Sequence, residues 1–530
     1  MTESFPRHLL ASPSTRRDFV ADSLRSAAAL IALGTLPSER SARLWSARAY
    51  PFTLGVASGD PGPDGFVAWT RLAPDPIRGG GMPARSVSVG WEIAADDSFR
   101  RIVKRGEARA LPQLAHSVHV EVAGLSPARE YFYRFVAGGD VSPVGRAVTA
   151  PALGALNDQL RFAFVSCQHY EQGYYTAFRH LAAENVDLIV HLGDYIYEYG
   201  IANNNPNPIR RHDGDEIITL EQYRNRFALY KSDSDLQSAH ASAPFIVTWD
   251  DHEVDNNYAN AISENNDAPE AFLARRAAAY QAYYEHLPLR RTSLPSGSAM
   301  RVYRRVPYGS LASFNVLDER QYRSDQPCGD GRKPRCAEVM EPNRTLLGAE
   351  QEKWLLDGLS DSKARWNFLA NQVVMGDNML RRPNETEDTY PLDTWNGYIA
   401  QRQRVLDFLA TRKVSNPVVL TGDIHVNIAM DLRADWAKPS SPTVGVELVG
   451  TSMSSGGDGQ QMPDWGKWTL GYNPHMKYFD ARRGYVRCSV TRERLTADFR
   501  IVPLVTRLGG PVETAKTFVV EDGKPELQRG

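Results

Sequence analysis

The sequence predicts an α/β architecture preceded by an all-β region, and three observations carry that expectation. Residues 51 to about 150 contain runs that alternate polar and apolar side chains with period two, such as 87–93 and 116–122, separated by Gly and Pro turn signals. From about 158 onward, apolar runs of strand length alternate with helical stretches, the spacing of helices layered on a sheet. The run 185–192 is largely apolar on both faces, as a covered central strand must be, and it feeds straight into Gly193-Asp194-Tyr195-Ile196-Tyr197.

The chain has 530 residues, too many for one ordinary core, so two or three domains are expected. The first 49 residues hold seven Arg and four acids, a net of +3; the whole chain is −2, so the remainder is −5. That balance gives no global electrostatic case for nucleic acid or an anionic membrane. An anionic substrate must be held by local charge or by metal.

Residues 1–49 read as an export signal. Arg16 and Arg17 lie in a twin-arginine pattern, an apolar stretch covers 27–36, and Ala47-Arg48-Ala49 is of the small-x-small cleavage type. The stretch is too short to span a bilayer, and no other run reaches 18 apolar residues. The expected partner is the Tat export machinery. The expected product is a secreted or periplasmic soluble protein with no transmembrane segment after signal removal. A monomer is expected, since no heptads or exposed apolar stripes stand out.

The all-β region, 50–150, includes the runs 87–93, 116–122 and 131–136. The Gly-Leu-Ser-Pro-x-x-x-Tyr-x-Tyr stretch at 124–133 resembles fibronectin-like sandwiches, where a Tyr packs at a strand corner. Residues 151–157 read as a linker. The catalytic part, 158–510, is expected to place strands at 160–166, 188–192, 245–249, 300–306, 311–317, 366–370 and 417–421. Helices are expected near 174–184, 220–229, 270–286, around Trp354, and at 400–412. Residues 511–530 read as a C-terminal tail. Of four cysteines, Cys328 and Cys336 close a short loop and read as a disulfide in an exported protein, with free thiols as the alternative. Cys488 sits in a strand-like run and reads as buried and inert.

Five strand-to-loop junctions end in ligand-type residues: Ser166-Cys167-Gln168, Gly193-Asp194-x-x-Tyr197, Asp250-Asp251-His252-Glu253, Asn371-Gln372, and Gly422-Asp423-Ile424-His425. One acidic junction is ordinary and serves equally as a helix cap. Five in order, mixing carboxylate, imidazole, thiol, phenol and amide, suit a binuclear metal site, His and Cys favouring a softer transition metal and carboxylate and amide oxygens a hard one. Two such ions clamp the attacking and leaving oxygens of a phosphoryl transfer.

The set, in this order, resembles the calcineurin-like metallophosphoesterases and in particular the PhoD-like alkaline phosphatases. The opening 54–61, Trp69-Thr70-Arg71-Leu72, Leu317-Asp318 and Arg320-Gln321-Tyr322-Arg323 extend the resemblance over essentially the whole mature chain. It implies a metallophosphoesterase β-sandwich flanked by helices. It also implies a departure from the wider family, because Cys167 stands where Asp-x-His is usual. Iron as Fe3+ would then be held by Cys167, Asp194, Tyr197 and His425. Ca2+ would be held by the bridging Asp194 with Asp251, Asn371 and Asp423. Spacing leaves Asp250 and Asp251 open; the resemblance favours Asp251, which stands directly before His252. His252 is expected to face substrate as a catalytic group. Arg323 is expected to hold phosphate oxygens, the alternative being a surface ion pair. Glu253 and Asp255 could support the loop.

The resemblance implies a secreted alkaline phosphatase acting on small-molecule phosphate esters by in-line attack of a metal-held hydroxide. A phosphodiesterase or phospholipase D of the same architecture is the alternative. A non-catalytic wall- or glycan-binding protein is the alternative of another class.

Overall fold

The computed structural model describes residues 49–202, 207–438 and 440–530. The export-signal expectation over 1–49 therefore lies, but for Ala49, outside the described residues.

Two large sheets face each other. In the first, the strands Gln159–Val165, Leu188–His191 and Phe245–Val247 run parallel and in that order. In the second, Ala312–Val316, Trp366–Ala370, Pro417–Thr421 and Thr443–Val449 do the same. Period two decides which layer each side chain joins. From the strand Gln159–Val165, Leu160, Phe162 and Phe164 enter the core between the sheets, while Ala163 and Val165 face the helices. Phe162 meets Phe314 and Phe368 of the opposite sheet edge-on at 5.1 and 5.0 Å. Removing such a ring would cost about 3–5 kcal/mol.

Helices cover both outer faces. Thr176–Ala182, Leu220–Lys231 and Pro269–His286 pack Phe178, Phe227 and Tyr283 onto the first sheet. Gly348–Asp361 and Ile399–Arg412 pack Leu355, Val405 and Leu409 onto the second. Thr219 and Gln222 form a reciprocal capping box that starts Leu220–Lys231 where the sequence expected a helix. Two helices were not expected: Ser234–Ser242, rich in small polar residues, and Asp464–Tyr472, which contains two glycines. The strand expected at 300–306 is displaced to Arg304–Tyr308.

The all-β region is not closed on itself. Its strands Val87–Ala94, Ile102–Ala110, Glu130–Ala137, Asp140–Val141 and Gly145–Val148 form a five-stranded sheet. Its hairpin Val56–Gly62 and Gly65–Arg71, with Ser117–Val122, instead extends the first large sheet, where Gly59 pairs with Phe245. The tail reading of 511–530 is corrected: Glu513–Glu521 pairs along nearly its whole length with Arg494–Val502. Its alternating buried Phe518 and Val520 supply apolar area to the core between the sheets. Cys328 and Cys336 form a disulfide, and Cys488 is buried. No helix among the described residues is long and apolar enough to cross a membrane.

Candidate metal centre

All five junctions leave the parallel strands at the carboxyl end, where loops of an open sheet converge. Backbone hydrogen bonds staple them: Cys167 N–H donates to Gly193 O at 3.1 Å, Gln168 N–H to Asp194 O at 3.1 Å, and Gly422 N–H to Gln372 O at 3.1 Å. Gly193 has φ +120°, and a Cβ there would lie 2.5 Å from Asp250 Cβ, so only glycine allows the second and third junctions to approach so closely. Cys167, Asp194, Asp423 and His425 all have positive φ, between 55° and 65°. That conformation costs a non-glycine residue roughly 1–2 kcal/mol. Four such residues at one strand end mark a site where surrounding structure holds side chains in an aimed position.

The ligand-type atoms of Cys167, Asp194 and His425 lie within 4.8 Å of one another, and so do those of Asp194, Asp251 and His252. Asp194 belongs to both trios. Tyr197 Oη donates to Asp194 Oδ2 at 2.8 Å and lies 3.3 Å from His425 Nε2. Asp251, not Asp250, stands in a trio; Asp250 Oδ1 accepts from Arg320 Nε at 2.5 Å. Asp423 acts electrostatically on Cys167 and feels Asp250 and Asp251. Asn371 is fully buried at its strand end, but its amide donates to Val373 O and its oxygen accepts from Trp395 Nε1 at 3.3 Å.

The expectation for Arg323 is corrected. It is buried, bonded to Tyr398 Oη at 3.0 Å and paired with Asp393 at 3.0 Å, an interior clamp rather than a group open to substrate. Arg320, three residues earlier, reaches the cluster and pairs with Asp250, Asp251 and Asp393.

Several contributors escaped sequence reading. Glu198 Oε2 lies 2.8 Å from His252 Nδ1, and its other oxygen accepts from Asn256 N–H. Ser455 Oγ donates to Tyr197 Oη at 2.8 Å. Arg483 donates to His425 O, Ser452 Oγ and Ser455 O. Glu253 and Asp255 were foreseen as support: Glu253 accepts from the N–H groups of Asp194, Tyr195 and Asp250, and Asp255 accepts from Glu264 N–H and Arg275. The Ser455 loop carried a readable signal in its Ser-Ser-Gly-Gly run.

Charge is crowded. Burial, then Asp251 and Asp250, push Asp194 well above the usual carboxylate range, against an opposing pull from His252. Burial also raises Asp250 to about 6 and Glu253 to about 8. Burial and then Asp194 raise the Cys167 thiol and the Tyr197 phenol. Burial acts to lower His252, but Glu198, Asp251 and Asp194 outweigh it and hold the imidazole charged. Arg320 and His252 alone do not neutralise this much buried carboxylate. A hollow of about 520 Å³ around Lys413, Pro417 and Asp522 lies at the opposite end of the strands, away from every ligand-type group named above.

Together these features define a two-sheet α/β sandwich with side chains of ligand type converging at one strand end around a shared carboxylate. The comparisons narrow the class. The model for the PhoD-like phosphatase family matches residues 162–499, and that for its N-terminal domain matches 38–151; this chain belongs to the PhoD-like phosphatase family. It is 53% identical over 483 residues to alkaline phosphatase D of Bacillus subtilis (strain 168), covering 91% of this chain and 82% of that one. It is likewise similar to a solved structure of PhoD, with 51% identity, a TM-score of 0.89 and 93% of each chain covered.

Proposed function

We propose that this protein is an exported, metal-dependent alkaline phosphatase whose centre takes Fe3+ at Cys167, Asp194, Tyr197 and His425. Ca2+ is taken by Asp194, Asp251, Asp423 and Asn371. The observation that carries the reading is that Asp194 is shared between two trios of ligand-type atoms.

The donor set fits. Asp194 Oδ1 and Asp251 Oδ1 are buried and have no hydrogen-bond partner, which is costly unless something else satisfies them. Thiolate and phenolate suit a trivalent ion, and carboxylate and amide oxygens suit a hard divalent one. When bound, the ions supply Lewis acidity to phosphoryl oxygens and lower the pKa of water.

The chain's own residues supply orientation and charge. Glu198 holds His252 Nδ1, which leaves Nε2 free to donate to a phosphoryl oxygen or to protonate the leaving alkoxide. Glu253 fixes the backbone that carries Asp194 and Asp250. Arg320 balances Asp250 and Asp251. Export by the twin-arginine route belongs to the same proposal, supported by the sequence pattern.

The test is hydrolysis of a phosphate monoester and its matching diester, with calcium present, with and without chelator. A chelator-sensitive rate that favours the monoester is expected. A rate that favours the diester makes the protein a phosphodiesterase on the same ligands. No rate on either overturns the reading and returns the wall-binding alternative.

A further inference from the structure

His425 lies in a cleft of about 230 Å³ that also touches Ile424, Gly456, Trp465 and Arg483. Trp465 walls a second cleft of about 260 Å³, otherwise lined by Arg332, Leu380, Arg381, Arg382, Trp468 and Thr469. The two clefts meet at one indole. Trp465 and Trp468 are three residues apart on the helix Asp464–Tyr472 and so lie on one face.

Trp465 is 45% exposed, unusual for so large an apolar side chain. It is nevertheless held in place. Its ring stands edge-on to Phe479 at 4.8 Å. Gly466 lets the helix sit close, since a Cβ there would lie 2.5 Å from Phe479 Cε1. A rigid, open indole beside a reaction centre is a preformed stacking platform.

Beyond it the charge is positive. Arg332 and Arg382 share one carboxylate, Glu385, while Arg381 pairs with Asp388 at 3.0 Å. Three guanidinium groups face two carboxylates. Arg381 Nε is buried without a partner. Arg381 also lies over the Tyr472 ring at 4.8 Å, while Arg382 is exposed and its Nε stands 3.9 Å from its share of Glu385, so its guanidinium suits phosphate oxygens.

We propose that this second cleft is the leaving-group subsite of the phosphoesterase, and that it selects alcohols carrying a ring and a second phosphate. The ring stacks on Trp465, and the second phosphate meets Arg381 and Arg382. This rests on the reading of the His425 cluster as the phosphoesterase centre. Two sources share this chemistry, a nucleoside phosphate and a sugar phosphate.

The test compares kcat/KM of the metal-loaded protein on a nucleoside bisphosphate, a hexose bisphosphate, their matching monophosphates and glycerol phosphate. Wild type is expected to prefer bisphosphates over monophosphates by about tenfold, the order of one charged hydrogen-bond pair. Trp465→Ala is expected to lower the ratio of ring-bearing substrate to glycerol phosphate by about tenfold, as loss of one stacked ring does. Arg381→Met with Arg382→Met is expected to erase the bisphosphate preference. The larger wild-type ratio between the nucleoside and hexose arms names the source. Ratios that do not change in either variant overturn the subsite while leaving the centre intact. Loss of anionic-vesicle binding in Trp465→Ala with intact ratios makes the patch a membrane contact and overturns it too. No hydrolysis by wild type of glycerol phosphate or of its matching diester overturns the centre, and the subsite with it.

Discussion

Lys231 lies fully buried at the end of the helix Leu220–Lys231, its Nζ 4.2 Å over the Trp69 ring and 3.4 Å from Tyr195 Oη. Burial lowers its pKa from 10.5 to about 7, and no carboxylate offsets the effect. Between pH 7 and 10.5 the unfolded chain binds a proton that the folded chain lacks. Stability therefore rises with pH through that window, and the cost of burying Lys231 is greatest below it. At 1.36 kcal/mol per unit, the cost is about 4 kcal/mol at pH 7 and about 2 kcal/mol at pH 9. The contact with Trp69 returns up to about 2 kcal/mol of this. Lys231→Met keeps the length and removes the charge. It should stabilise the protein by about 2–4 kcal/mol at pH 7, with the gain about 2 kcal/mol smaller at pH 9. In a chain of this size 1 kcal/mol moves Tm by about 1 °C. Thermal unfolding of both proteins across pH 6 to 9 reads the difference directly. A gap that stays constant with pH, or a variant less stable throughout, refutes the argument and means that Lys231 remains charged in the fold.

Other predictions concern the centre. Asp194→Asn should lose both metals by elemental analysis and lower kcat by at least about a thousandfold, because Asp194 belongs to both trios; retained iron and calcium at full rate would remove it as the bridge. Cys167→Ser should lower iron selectively and leave calcium, and unchanged iron takes the thiol out of the ligand set. Gly193→Ala should destabilise by about 1–3 kcal/mol and impair turnover, since the new methyl meets Asp250 and the φ of +120° disfavours it; calorimetry at wild-type values would mean that the junction relaxes freely. Arg323→Met should lower Tm, as breaking a buried ion pair costs about 3–5 kcal/mol. KM at a temperature well below unfolding should stay within about threefold, whereas a large rise in KM would restore Arg323 as a phosphate ligand.

Much of the centre was legible because each junction is local. An apolar run followed at once by Gly-Asp or Asp-His states both the strand and what stands at its end, and parallel strands send those ends to one side. The strand ends that carry Cys167, Asp194, Tyr197, Asp423 and His425 were therefore readable in the chain, whereas the preference for Asp251 over Asp250 and the ligand roles came only from the family resemblance. Arg323 was misread because two arginines three residues apart, Arg320 and Arg323, look equivalent in sequence. Both pair with Asp393, some 70 residues away, but only Arg320 also reaches Asp250 and Asp251, which folding alone decides. Glu198, Ser455 and Arg483 carry no strand-end signature. They join the site through loops that only folding brings together.

The sequence by itself determined the layered α/β plan and the order of the ligand-type junctions, since period, composition and short-range spacing are properties of neighbouring residues. The tertiary structure alone decided that Val56–Arg71 and Glu513–Glu521 belong to the large first sheet. A strand's pattern says which face is apolar, but its edge hydrogen bonds accept any partner of suitable register. Only the closed fold decides which edge it meets.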